Sequence, residues 1–165
     1  LINNAAMQAR APLEEFTAEA FQALLQTNIA SVFNVGQAVA RHMIARGAGK
    51  IVNIASVMSA LARPTVAPYV ATKGAVANLT KGMATDWARH GLQCNAIAPG
   101  YFETPMNAAL VTDRAFCGWL EARTPAGRWG QVDELVGAAV FLSGPASSFV
   151  NGHVLYVDGG MAASL

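Results

Sequence analysis

Charge is scarce in this sequence. Charged side chains make up 13% of its 165 residues, against roughly a quarter in an average globular chain. With 53% of residues hydrophobic, that scarcity excludes a disordered polypeptide, which needs the opposite balance. The net charge is +1, from 11 Lys+Arg and 10 Asp+Glu. No strong field is available to draw in nucleic acid or an anionic membrane, so neither is expected as a partner. The same scarcity leaves less charge than a monomer surface usually carries, and part of the surface is expected to be buried against another subunit.

Long apolar runs are also missing. The nearly unbroken stretch Leu135 to Leu142 falls far short of a membrane span. Two cysteines, Cys94 and Cys117, cannot build a disulfide framework, and nothing resembles a secretory signal, so a reducing cytoplasm is the expected compartment. The three histidines, at 42, 90 and 153, share no metal-ligand spacing with the cysteines, and no metal is expected. Cys94 reads as a small core side chain. The opening Leu1-Ile2-Asn3-Asn4-Ala5-Ala6 has no initiator methionine and looks like the end of a buried strand cut partway. A fragment lacking its N-terminal part is the expectation.

What is present alternates in period. Leu1 to Asn3 reads as a strand end and Phe16 to about Arg46 as a long helix, with Thr17 its N-cap and Gly47 and Gly49 its stop. Lys50 to Ala55 is a short β-branched strand. Pro68 to His90 is a second helix with Val76, Leu79, Met83 and Trp87 on one face and Gly91 after it. Gln93 to Ala98 is a strand closed by Pro99-Gly100, residues 101 to 127 are irregular or short-helical, Asp133 to Ser143 is a helix, and His153 to Val157 is a last strand. Strands alternating with helices predict βαβ units, a parallel sheet and an α/β fold in one domain, residues 1–165. Such sheets hold ligands beyond their strand C-termini, here the loops after Asn3, Ala55, Ala98 and Val157.

Tyr69 and Lys73 are four residues apart, on one helical face about a turn apart. An ammonium near a phenol favours the phenolate and lowers its pKa, and such a phenol can trade a proton with a substrate hydroxyl. Taken alone, the pair reads rather as the start of an ordinary helix with an exposed lysine, and its context reverses that. Ser56 ends the preceding strand thirteen residues before Tyr69, at the ligand edge, where its hydroxyl can hold a reacting oxygen; Ser59 is its rival. Asn28 lies inside the apolar stripe of Phe21, Leu24, Leu25, Ile29 and Val32. A buried amide needs partners. Either it satisfies neighbouring backbone or it serves a proton-relay water.

The segments NNAA, LLQTNIASVFNV, NIAS, YVATK and NAIAPGYFET, in this order and spacing, resemble the short-chain dehydrogenase/reductase family across essentially the whole chain. The resemblance implies a Rossmann-like, doubly wound parallel sheet, of which the chain would be the C-terminal two-thirds. It implies an oxidoreductase using NAD or NADP, with Tyr69 as acid/base, Lys73 lowering its pKa and holding the nicotinamide ribose, Ser56 binding the reacting oxygen, and Asn28 holding a relay water. Asn4 and Ala5 would lie along the cofactor with Ile2. Pro99 and Gly100 would border the nicotinamide, and Thr104 would bond its carboxamide. Segments such as RHMIARGAGKIVNI and SFVNGHVLYVDGGM resemble the branch that interconverts gluconate and 5-ketogluconate. A sugar acid needs a cation, and Arg10 and Arg63 are placed for it, as clamps or as solvated side chains. A 3-oxoacyl-thioester reductase, or an inactive fragment acting only in assembly, is the alternative. A homotetramer is implied, in keeping with alanines at 71, 75, 77, 84 and 88 that permit close helix approach. Two features depart from the family: Ala6 stands where glycine is usual, and no TGxxxGxG phosphate loop occurs in the chain.

Overall fold

A computed structural model describes residues 1–165. Four strands form one sheet in the order β1-β2-β3-β4, all parallel. They are β1 (Ile2–Asn3), β2 (Gly49–Ile54), β3 (Leu92–Pro99) and β4 (Val154–Val157). Asn3 lies beside Asn53, Val52 beside Asn95, and Ile97 beside Leu155. Helices cover both faces, so the strands are apolar on both sides, as a buried parallel sheet requires. Along β2, Ile51 packs toward the long helices and Val52 toward the opposite face. Along β3, Cys94, Ala96 and Ala98 face the long helices while Ile97 points the other way. The small side chains of that first row let a helix approach closely.

The first helical run begins at Ala18, where the Thr17 hydroxyl accepts from the Ala20 N–H at 3.1 Å. It is not one uniform rod. Helix α1 (Ala18–Leu25) passes through a π turn, Gln26–Ala30, into α2 (Ser31–Arg46). Asn28 sits in that turn. A single π turn inside an α-helix inserts a residue and re-aims its side chain, which apolar spacing alone cannot disclose. Gly47 ends α2 at φ 72°, and Gly91 follows the next helical run at φ 80°; both are left-handed positions that favour glycine.

Helix α3 (Ala67–Trp87) starts with Pro68 in its first turn, where a missing N–H is tolerated. Its Val76 and Met83 enter the core, with Leu79 and Trp87 packed alongside. Ala77 and Ala84 are buried within this chain rather than presented to another. Between β3 and β4 the irregular stretch holds α4 (Ala108–Val111) and a ten-residue helix, α5 (Arg114–Arg123). Asp113 caps α5 by accepting from Ala115 and Phe116 N–H groups at 3.0 and 3.1 Å. Helix α6 (Val136–Ser143) is entered through a 3-10 turn, Val132–Leu135, rather than starting directly at Asp133. Its Leu142 closes the second face over Val52 and Ile97. No helix is long and apolar enough to cross a membrane.

Two polar ladders centred on the buried Asn53 and Asn95 fix the sheet. Asn3 Nδ2 donates to Asn53 Oδ1 at 2.8 Å, and Asn53 Nδ2 donates to Thr80 Oγ1 at 2.9 Å, joining β1, β2 and α3. Asn95 and Asn151 stitch β3 to the approach of β4: Asn95 Oδ1 accepts from His153 N–H at 3.0 Å, and Asn151 Oδ1 from Cys94 N–H at 2.8 Å. An amide left unpaired in such a place costs on the order of 1–3 kcal/mol, so these bonds specify register.

Candidate active site

The parallel order brings the C-terminal ends of β1, β2 and β3 to one edge, and a cleft of about 470 Å³ opens there. Its walls include Asn4, Ala5, Arg10, Ser56, Arg63, Tyr69, Lys73, Pro99, Gly100 and Thr104. Ten residues singled out from the sequence, spread over a hundred positions, therefore meet in one cavity. Asn28 does not line it, and neither does Ile2, which is half exposed on β1. Gln8, Met58 and Tyr101, which sequence reasoning passed over, do line it.

Ser56 is buried, and its Oγ accepts from the Met58 N–H at 3.1 Å. That bond engages a lone pair and leaves the hydroxyl proton to be donated. Ser59, the rival, turns its hydroxyl back onto the Ser56 carbonyl and does not line the cleft. Tyr69 stands in the first turn of α3 and is 9% exposed. Lys73, one turn on and 2% exposed, donates from Nζ to the Ile54 carbonyl at 2.7 Å, and its Nζ lies 5.7 Å from the centre of the Tyr69 ring.

The electrostatics differ from what the spacing implies. Burial pushes the Tyr69 phenol above its ordinary value; the nearby Ser56 hydroxyl and the Arg10 charge pull the other way, while Tyr101 pushes it up further. Lys73 is not among the groups that shift it. Burial instead pulls Lys73 itself down to about 8. Desolvation, which disfavours the charged form of either group, is the largest cause of both shifts.

Asn28 is fully buried, and its amide is engaged with protein. Its Oδ1 accepts from the Met7 N–H at 2.9 Å, and its Nδ2 donates to the Met7 carbonyl and to Thr72 Oγ1, both at 3.0 Å. Thr72 Oγ1 passes its own hydrogen to the Tyr69 carbonyl at 2.8 Å. The side chain thus satisfies the Met7 backbone and the Thr72 hydroxyl, and Oδ1 keeps a second lone pair.

The remaining walls carry positive charge. Arg10 and Arg63 both face the cleft, and no aspartate or glutamate does. Partial burial and then the Arg63 charge hold the Arg10 guanidinium below its ordinary value. Gln8 Oε1 accepts from Arg10 at 2.9 Å. At the back of the cleft Gly100 donates its N–H to the Val157 carbonyl at 2.9 Å, and a Cβ there would fall 2.8 Å from Asp158 Cα. Only glycine lets the loops after β3 and β4 close up. Asn4 and Thr104 line the cleft with their side chains bonded to no other protein group.

Residues 1–162 match the family model described as enoyl-(acyl carrier protein) reductase. The chain is 70% identical over 165 residues to a gluconate 5-dehydrogenase of Gluconobacter oxydans, covering all of this chain and 64% of that protein. It is 55% identical to a 5-keto-D-gluconate 5-reductase of Escherichia coli K12, again over the whole chain and 65% of the relative. Among solved structures, a gluconate 5-dehydrogenase from Burkholderia cenocepacia J2315, in complex with NADP and tartrate, superposes with a TM-score of 0.98 at 65% identity; the match covers 99% of this chain and 64% of that one. The chain thus spans a little under two thirds of the length of the relatives it matches.

Proposed function

The chain belongs to the short-chain dehydrogenase/reductase family, and on that premise we propose that it serves the NADP- or NAD-dependent interconversion of gluconate and 5-ketogluconate. The observation that carries this reading is one cleft holding a Ser56–Tyr69–Lys73 group, two arginines and no carboxylate. We infer that residues 1–165 are part of a single Rossmann-type dehydrogenase domain. The positive wall fits a sugar acid better than a thioester, which would want an apolar entrance.

The cleft fits the nicotinamide end of the cofactor by its donor set. Lys73 has ammonium hydrogens beyond the one given to Ile54, and Asn4 and Thr104 present unengaged polar groups. Lys73 would hold the ribose, Pro99 and Gly100 would border the ring with Ala5 along the cofactor, and Thr104 would bond the carboxamide. The cofactor, when bound, takes or gives the hydride.

The chain's own groups supply placement and proton transfer. Ser56 donates its free proton to the reacting oxygen and fixes it beside Tyr69. Tyr69 accepts the hydroxyl proton in oxidation and returns it in reduction. Its raised pKa keeps it protonated at neutral pH, which suits the reductive direction. Asn28 acts through structure: by bonding Met7 and Thr72 it holds the loop after β1 and the turn carrying Tyr69 in fixed relation. Arg10 and Arg63 receive the carboxylate through parallel charge-assisted bonds.

We further propose a cytoplasmic homotetramer. Val136 and Val140 on α6 are 55% and 66% exposed, with Val132 and Phe149 also open, which supports burial against another copy. Sedimentation showing only monomer at micromolar concentration would remove that part. The activity itself is tested by following reduced cofactor with gluconate and either NADP or NAD. Turnover of gluconate well above that of a neutral polyol is expected, and failure to oxidise any sugar acid with either cofactor overturns the reading.

A further inference from the structure

The proposed reaction does not by itself explain how one of the two arginines is held. Arg63 Nε donates to Tyr101 Oη at 2.9 Å, and the Arg63 guanidinium lies over the Phe116 ring, 5.3 Å from its centre. Tyr101 is packed in turn against three rings, with centroids 5.5 Å from Phe116, 6.1 Å from Trp119 and 5.9 Å from Trp129. Arg63 makes no ion pair. Its segment is tied to that of Arg10 by the Ala11 N–H, which donates to the Thr65 carbonyl at 3.2 Å. Thr65 takes a left-handed φ of 70° there, a conformation that a β-branched residue adopts only when its surroundings impose it.

We propose that Arg63 and Tyr101 act as one carboxylate-reading unit, with Tyr101 the residue that determines preference for an acid substrate. A guanidinium has five N–H donors in a rigid fork. With Nε engaged by Tyr101, the four hydrogens on the two terminal nitrogens remain for the two oxygens of a carboxylate. Tyr101 Oη accepts the Arg63 bond, so its own hydrogen is also available to the ligand. Burial raises the Tyr101 pKa, which keeps that hydrogen in place. Because the aromatic cluster orders the arginine beforehand, less freedom is lost when the anion arrives. A loose arginine would supply the same charge without the geometry.

This inference rests on the sugar-acid reading above, and the two fail separately. The active protein is compared as wild type, Tyr101→Phe and Arg63→Lys, with gluconate kinetics, tartrate binding by calorimetry, and NADP binding as control. Tyr101→Phe removes one hydroxyl and keeps the ring. It is expected to raise the gluconate KM and the tartrate Kd roughly tenfold, with kcat within about threefold and NADP affinity unchanged. Arg63→Lys keeps the charge but loses the fork, and equal or greater weakening is expected. An unchanged gluconate KM or tartrate Kd in Tyr101→Phe overturns the inference, as does a parallel loss of kcat and NADP affinity, which marks a merely structural residue. If the wild type oxidises no sugar acid yet binds tartrate in a Tyr101-dependent way, the unit stands and the sugar-acid reading falls. If it binds no tartrate, the unit falls. Should Tyr101→Phe prove misfolded by circular dichroism, the Arg63→Lys result decides.

Discussion

Lys73 Nζ donates to the Ile54 carbonyl at 2.7 Å, so the ammonium is anchored to the end of β2 while its helix carries Tyr69 one turn earlier. The bond joins the sheet edge to α3 and holds a cation in a place from which water is nearly excluded. Burial in that place, not the bond, moves the ammonium's pKa.

Burial lowers Lys73 from 10.5 to about 8. The unfolded chain therefore binds more protons than the folded one between those values. The desolvation penalty is fully present below about pH 8 and is relieved as pH rises toward the unfolded value, so stability increases with pH in that window. The gain expected between about pH 7 and about pH 9.5 is roughly 2 kcal/mol. Urea titrations at the two pH values measure it. The Lys73→Met variant should lack the gain, and a wild type that gains nothing over this range contradicts a buried ammonium.

Tyr69→Phe removes a hydroxyl from a residue that lines the cleft together with Ser56. A loss of at least about 100-fold in kcat is expected, the usual scale of positioned acid/base work. The fold should be unchanged by circular dichroism and thermal midpoint. Near wild-type turnover would remove Tyr69 from the chemistry.

Asn28→Ala leaves the Met7 N–H and carbonyl and Thr72 Oγ1 without their partner. A destabilisation of about 1–3 kcal/mol is expected for such buried orphans, read by denaturant unfolding. Substrate turnover should fall as well, because Thr72 also bonds the Tyr69 carbonyl. A variant as stable as wild type would mean that another group fills the gap.

Residues 1–165 alone should bind NADP weakly. The groups that line the cleft suit the nicotinamide and ribose, and the chain contains no glycine-rich loop to receive the pyrophosphate. Several charge-assisted bonds at roughly 1.5–3 kcal/mol each are then unavailable, enough to weaken binding a thousandfold or more. Calorimetric titration giving a micromolar dissociation constant for residues 1–165 would show that the cofactor is held elsewhere.

Much of this molecule is written in local pattern. Alternating strands and helices, the stops at Gly47 and Gly91, the cap at Thr17 and the Val76–Met83 face follow from backbone preference and side-chain period, which neighbours a few residues away already decide. So does the pairing of Tyr69 with Lys73, because four residues of helix bring them to one face. The choice of Ser56 over Ser59 was not local: both stand in the same turn, and the bond that each hydroxyl makes separates them. Helix α5 had signals in Asp113 and the spacing of Phe116 and Leu120, but they lay in a stretch without clear period. The π turn at Asn28, the meeting of Arg63 with Tyr101 thirty-eight residues away, and the upward shift of Tyr69 belong to tertiary structure alone. Spacing along a chain tells which groups can meet within one element. Only packing decides which loops share a cleft and how much water they keep, and desolvation then sets the sign of a pKa shift that the same residues in solvent would reverse.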